Sequence, residues 1–191
     1  MEYQKELSNK EKSTYILECI KNINKVNSCQ QIIVLLESLS KTLVTAKYSK
    51  LWIANGEQLC SYQNDYIVYI SQNKGLISKA FKNKEIFYIN DATREVLYKE
   101  EIDNINKLKI KDIIYLPIKN QDGDIKFIIQ IMTSIHNIQQ FTKNDIDTLQ
   151  IMYEYIHNID LCNCCEDNIE NKLTTTKEQK DIIGKVLSFF K

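Results

Sequence analysis

Proline and glycine are scarce in this chain, with one proline, Pro117, and four glycines among 191 residues. So few turn-formers argue against an all-β sandwich, which needs many tight corners. A surplus of one charge is missing too: Lys and Arg number 25, Asp and Glu number 25, and the formal net charge is zero. Proteins that bind nucleic acid by neutralising phosphates concentrate Lys and Arg, so no nucleic-acid partner is expected. No apolar run approaches the roughly 20 residues needed to cross a bilayer, so no membrane span is expected. Residues 1–12 are polar and charged and lack the apolar stretch of a secretory signal. These absences point to a cytoplasmic location.

Hydrophobic residues make up 43% and charged residues 26%, ordinary values for a globular chain that can build a core without disulfide staples. The six cysteines are Cys19, Cys29, Cys60, Cys162, Cys164 and Cys165. In a reducing cytosol they are expected as free thiols.

Apolar periodicity predicts a helix over 1–27, where Ile16, Ile20 and Ile23 recur at steps of four and three. A second helix is expected over 29–47, with Ile32, Leu35, Leu36, Leu39 and Leu43 on one stripe and Ser28 as its N-cap. Strands are expected over 48–54, 58–63 and 65–70, the first two joined by the turn dipeptide Asn55-Gly56. A short helix over 76–83 follows Gly75, then a strand over 85–89 and a mixed stretch over 90–109 with a helical turn near Tyr98. Strands over 112–118 and 124–133 flank Asp122-Gly123, and a helix over 142–161 opens with a near capping box, Thr142 and Asp145. Residues 162–180 read as a polar linker and 181–191 as a short amphipathic helix. The order predicts an α+β domain. Its central antiparallel sheet of about six strands would carry the N- and C-terminal helices on one face. Short helices and loops would cover the other, ligand-side face.

Several short motifs recur in a fixed order: Gly75-Leu76-Ile77 with Ala80, then Ile89-Asn90-Asp91-Ala92, Tyr115-Leu116-Pro117-Ile118, Asp122-Gly123-Asp124-Ile125, and finally Phe141, Asp145 and Leu149. In this series the chain resembles a GAF domain over about residues 28–160. The resemblance implies a GAF-like fold over 28–161, a dimerising or signalling helix over 1–27, and a sensory or regulatory role. It departs from many GAF domains at Lys126 and Phe127, where a second glycine is common; the departure is expected to change strand packing or to fill part of a pocket.

The resemblance also allows specific activities to be weighed. Cyclic-nucleotide-binding GAF domains carry Asn-Lys…Phe-x-x-x-Asp-Glu; Phe141 and Asp145 fit, whereas Thr133-Ser134 and Ile146 depart. The free methionine-(R)-sulfoxide reductases of this fold need a nucleophilic and a resolving thiol in the ligand-side loops, but residues 71–78 and 90–109 contain no cysteine. The same lack disfavours covalent bilin attachment. His136 reads as a loop histidine and His157 as a helix-face histidine rather than as haem ligands. Within the cluster of Cys162, Cys164 and Cys165, Cys162 and Cys165 hold half the spacing of a zinc site, which only a dimer could complete, so reduced thiols are the expectation.

No catalytic residue, metal site or particular cofactor is therefore assigned. The candidate ligand-binding residues are Tyr88, Asp91, Thr93, Arg94, Tyr98 and Tyr115. Arg94 would pair with an anionic ligand, and the tyrosines would wall a planar or apolar one. Which face Tyr115 takes is not decided by sequence, because a one-residue register shift reverses it. The expected function is a non-catalytic sensory module with a small-molecule ligand. It would be a homodimer through the terminal helices, paired by Ile16, Ile20 and Ile23 with Leu149, Met152, Ile156 and Ile159. The alternative is an interaction domain whose own side chains fill the cavity.

Overall fold

The computed structural model describes residues 7–26, 28–63, 66–137 and 139–159. The expectations for 162–180, for 181–191 and for the Cys162, Cys164 and Cys165 cluster lie outside them.

Helix α1 (Asn9–Ile23) starts at a reciprocal cap: Ser8 accepts from the Glu11 N–H, and the Glu11 carboxylate accepts from the Ser8 N–H at 2.7 Å. It stops four residues earlier than the 1–27 expectation, at the asparagine-rich Asn22–Asn24 stretch, because asparagine competes with the helical backbone. Helix α2 (Cys29–Leu43) begins after Ser28, which has extended backbone but makes no side-chain cap. It ends before 47 because Thr45 takes a positive φ of 51°. Strands β1 (Tyr48–Asn55), β2 (Gln58–Gln63) and β3 (Tyr66–Ser71) follow. Then come α3 (Ile77–Asn83), β4 (Phe87–Ile89), a 3-10 turn (Ala92–Arg94) and the short α4 (Glu100–Asp103). Lys84, at a φ of 56°, closes α3 and delays β4 by two residues. Strands β5 (Ile110–Lys119) and β6 (Ile125–Ser134) are the longest, and α5 (Lys143–Ile156) closes the described fold.

The six strands form one sheet in the order β3-β2-β1-β6-β5-β4, and every neighbouring pair is antiparallel. Pro117 sits inside β5 rather than at its end, paired with Ile128. It is tolerated there because β4 reaches only Ile113–Tyr115, leaving one side of β5 open at Pro117.

Helices α1, α2 and α5 cover one sheet face. Leu36 and Leu39 of α2 pack with Leu149 and Met152 of α5 and with Ile129 and Ile131 of β6, all buried. Each fully buried side chain of this kind contributes roughly 1.5–3 kcal/mol. Alternation along the strands sends Trp52, Tyr115 and Ile128 to the other face, under α3, the 3-10 turn and residues 99–108.

Two expectations change. Phe127 belongs to the helix-side core, so it fills no space on the ligand side. Ile16, Ile23, Leu149, Met152 and Ile156, expected at a dimer interface, are buried inside the single chain at 5% exposure or less.

The cysteines differ as well. Cys19 is a free, buried thiol, pushed up to about 12 by burial. Cys29 and Cys60 each take part in a disulfide bond, against the expectation of free thiols.

Candidate functional site

On the ligand-side face a single carboxylate organises the cover. Asp103 ends α4, and its Oδ2 accepts from the backbone N–H of Leu76 and of Lys99, both at 2.9 Å. Its Oδ1 accepts from the Ile77 N–H at 3.1 Å and from the Tyr115 hydroxyl at 2.8 Å. The start of α3, the start of α4 and the middle of β5 thus converge on one side chain that is 1% exposed. Burial pushes the Asp103 carboxyl up, and the donors from Lys99, Leu76, Tyr115 and Ile77 pull it back. Burial raises the Tyr115 hydroxyl well above its usual range, and the Asp103 charge adds to it.

The network continues across the sheet. Gln130 of β6 donates from Nε2 to the Asp103 carbonyl at 2.6 Å, and its Oε1 accepts from the Trp52 indole at 2.9 Å. Buried polar groups cost little only when their partners are present; here Trp52, Tyr115, Gln130 and Asp103 supply each other. Gly75 makes this geometry possible. Its φ is +72°, and a Cβ there would stand 2.6 Å and 2.9 Å from the two Asp103 carboxylate oxygens. The glycine read from sequence as a helix starter is also the place where a carboxylate comes against bare backbone.

The six candidate residues are not gathered in one place. Tyr115 is fully buried on the ligand-side face, and Tyr98 lies half-buried near Asp103 and Asn104. Tyr88 pairs with Ile114, a residue of the helix-side core, so it stands on the other face and is 39% exposed. Its neighbour Phe87 takes the ligand side, its ring 5.4 Å from that of Tyr115. Thr93 and Arg94 are exposed on the 3-10 turn. Asp91 holds a φ of 54° and donates its backbone N–H to Asp112 at 2.9 Å.

Asp103, Gln130 and Trp52 were not singled out by sequence reasoning. Asp103 sits in the aperiodic 90–109 stretch, and all its partners but Lys99 are 12 to 27 residues away. Gln130 carried a legible signal, since it is the one polar residue in the apolar run from Phe127 to Met132.

No family model matches the chain. Solved structures do. The GAF domain of an Acinetobacter phosphoenolpyruvate-protein phosphotransferase superposes with a TM-score of 0.67 at 10% identity, covering 86% of this chain and all 100% of that one. The chain folds as a GAF domain. The GAF domain of the corresponding Coxiella burnetii protein gives 0.64 at 14% identity over 78% of this chain and 92% of that one. Free methionine-R-sulfoxide reductase from Neisseria meningitidis, solved with its substrate, gives 0.65 at 10% identity over 83% of this chain and 95% of that one. In sequence this chain is 28% identical over 111 residues to dual 3',5'-cyclic-AMP and -GMP phosphodiesterase 11A of Takifugu rubripes. That match takes in 58% of this chain but 12% of the phosphodiesterase.

Proposed function

We propose that this GAF domain is a non-catalytic sensory or regulatory module. It binds a small molecule on the sheet face beneath residues 90–109 and passes the signal through terminal helices in a homodimer. The observation that carries the reading is the Asp103 junction. One carboxylate ties the ligand-side cover to α3 and to the sheet, whose opposite face holds α1, α2 and α5. A ligand that favours one position of this cover acts on the helices through the sheet, given different affinity for the two states. Tyr98, Asp91, Thr93 and Arg94 rim that cover and are kept as candidate contacts.

Catalysis of the reductase type is disfavoured because Cys60 is buried on the helix-side face and the ligand-side segments lack cysteine. Cyclic-nucleotide binding is disfavoured by the incomplete signature; the Thr133 hydroxyl, near the missing Asn-Lys pair, donates to Asp112 at 2.9 Å. A second reading, a ligand-free interaction domain, is favoured by the self-satisfied set of Trp52, Tyr115, Asp103 and Gln130 on the ligand-side face.

Thermal-shift screening against nucleotides, amino acids and small anions decides between them. A ligand raises the melting temperature by mass action, by about 2.7 kcal/mol of stabilisation at a hundredfold excess over Kd. No shift with any compound supports the interaction domain. A cytoplasmic location remains part of the proposal, although the disulfides at Cys29 and Cys60 suit an oxidising setting. Alkylation of both thiols in intact cells without reductant supports the cytoplasm, and protection of both refutes it.

A further inference from the structure

The ligand-side face carries two buried polar groups that the Asp103 network leaves out. Lys50 and Trp52 alternate on β1 and project from the same face. Lys50 is 7% exposed, and its ammonium stands 4.7 Å from the centre of the Trp52 ring. Its Nζ has no hydrogen-bond partner among the described residues. The same holds for the hydroxyl of Ser61, which is 1% exposed. Ser61 lies between Cys60, which faces the helices, and Tyr62; by alternation it shares the ligand side with Leu59.

The two groups lie on the same sheet face of neighbouring strands. Pairing of β1 with β2 runs from Asn55↔Gln58 to Ile53↔Cys60 and goes no further. Beyond it the strands part, and the antiparallel register sets Ser61 across from Trp52 and Gln63 across from Lys50. Glu37 of α2 fills the helix side of this parting, where its Oε1 accepts the Leu51 N–H at 2.8 Å. Its charge is felt by Lys50, but its hydrogen bond goes to Leu51. On the outer side, Gln63 donates to Asn106 and accepts from the Tyr66 hydroxyl, both solvent-facing contacts. An ammonium offers three donors and a hydroxyl one, and burying them without an acceptor is unfavourable.

We propose that Lys50 and Ser61 form a recognition point for the oxyanion of a small molecule, a carboxylate or a phosphate. The oxyanion enters between β2 and the 104–108 loop, past the Gln63–Asn106 hydrogen bond. This inference rests on the small-molecule reading above and adds the charge class of the ligand and the residues that hold it. A single oxyanion satisfies the ammonium and the hydroxyl together, with charge-assisted hydrogen bonds.

Trp52 is the one tryptophan of the chain, so its emission reports on Lys50 directly. The full chain is titrated with sodium acetate, with inorganic phosphate and with neutral acetamide, ionic strength held constant with chloride. A saturable change in emission with acetate or phosphate, and none with acetamide, is expected; whichever anion binds more tightly names the headgroup. Lys50→Met should weaken that binding at least tenfold and leave the melting temperature unchanged or higher, since it removes an unpartnered buried charge. Ser61→Ala should weaken it several-fold and serves if Lys50→Met fails to fold. Equal binding by the variants, or no saturable response to either anion, overturns the proposal. In the second case, a neutral compound that stabilises the wild type and Lys50→Met alike leaves the small-molecule reading standing. A blank thermal-shift screen removes both.

Discussion

At the residue scale, most of the ligand-side geometry depends on Gly75 and Asp103. Gly75→Ala would force a side chain into the positive-φ region and into the Asp103 carboxylate. The expected loss is about 3 kcal/mol, combining backbone strain with displaced buried hydrogen bonds, measured by urea unfolding. Glu37 gives a pH dependence. Burial raises its carboxyl from the usual 4.5 to about 7, opposed by the Leu51 N–H and by the charges of Lys50 and Lys41. Its folded value is above the unfolded one, so its contribution to stability is fully present below pH 4.5 and is lost as pH rises to about 7. The size is on the order of 3 kcal/mol. Glu37→Gln keeps an oxygen for the Leu51 N–H, so its unfolding midpoint should fall less between those pH values than that of the wild type, the residual slope belonging to other raised carboxyls such as Asp103. Sequence could not show either role. Glu37 and Asp103 are ordinary acidic residues until the fold brings them to backbone N–H groups 14 and 27 residues away. Lys50 was not singled out either, although a lysine two residues from the lone tryptophan on an expected strand shares its face.

At the element scale, local rules were read well where the signal is local. The Thr142 and Asp145 cap of α5 forms as a full box, with the Thr142 N–H donating to Asp145 at 2.8 Å. Asp145→Ala should cost about 1 kcal/mol, visible as a lower thermal midpoint. By contrast, the Lys84–Asp124 ion pair joins the end of α3 to the β5–β6 turn at 3.0 Å with side chains 41% and 74% exposed. Solvent screens it, so Asp124→Asn should shift stability by less than about 0.5 kcal/mol, within the scatter of the same assay. Boundaries failed where one residue adopts a left-handed conformation, as at Thr45 and Lys84, because no glycine marks the spot. Tyr88 and Phe87 show the other limit: a strand is expected there, but only the pairing of Phe87 with Tyr115 fixes which aromatic ring faces inward.

For the whole molecule, the α+β layering was legible because long-range order follows from the sequence of elements and their apolar faces. The assembly was not. Three-four spacing alone does not distinguish an intrachain core from an interface, and Ile16, Leu149 and Met152 serve the former. The exposed apolar residues of the same helices are Leu17 at 48%, Ile151 at 53% and Tyr155 at 49%. If the proposed homodimer forms through α1 and α5, these residues meet the partner. Ile151→Lys with Tyr155→Lys should then convert a dimer to a monomer by light scattering without lowering the melting temperature. A wild type that is monomeric at high concentration refutes the dimer.

The four donors that share the Asp103 carboxylate have a last consequence. The amides of Leu76, Ile77 and Lys99 cannot be released one at a time without leaving a buried charge short of partners. In deuterated buffer the three should therefore lose protection together, at one opening rate, although they belong to separate stretches of chain.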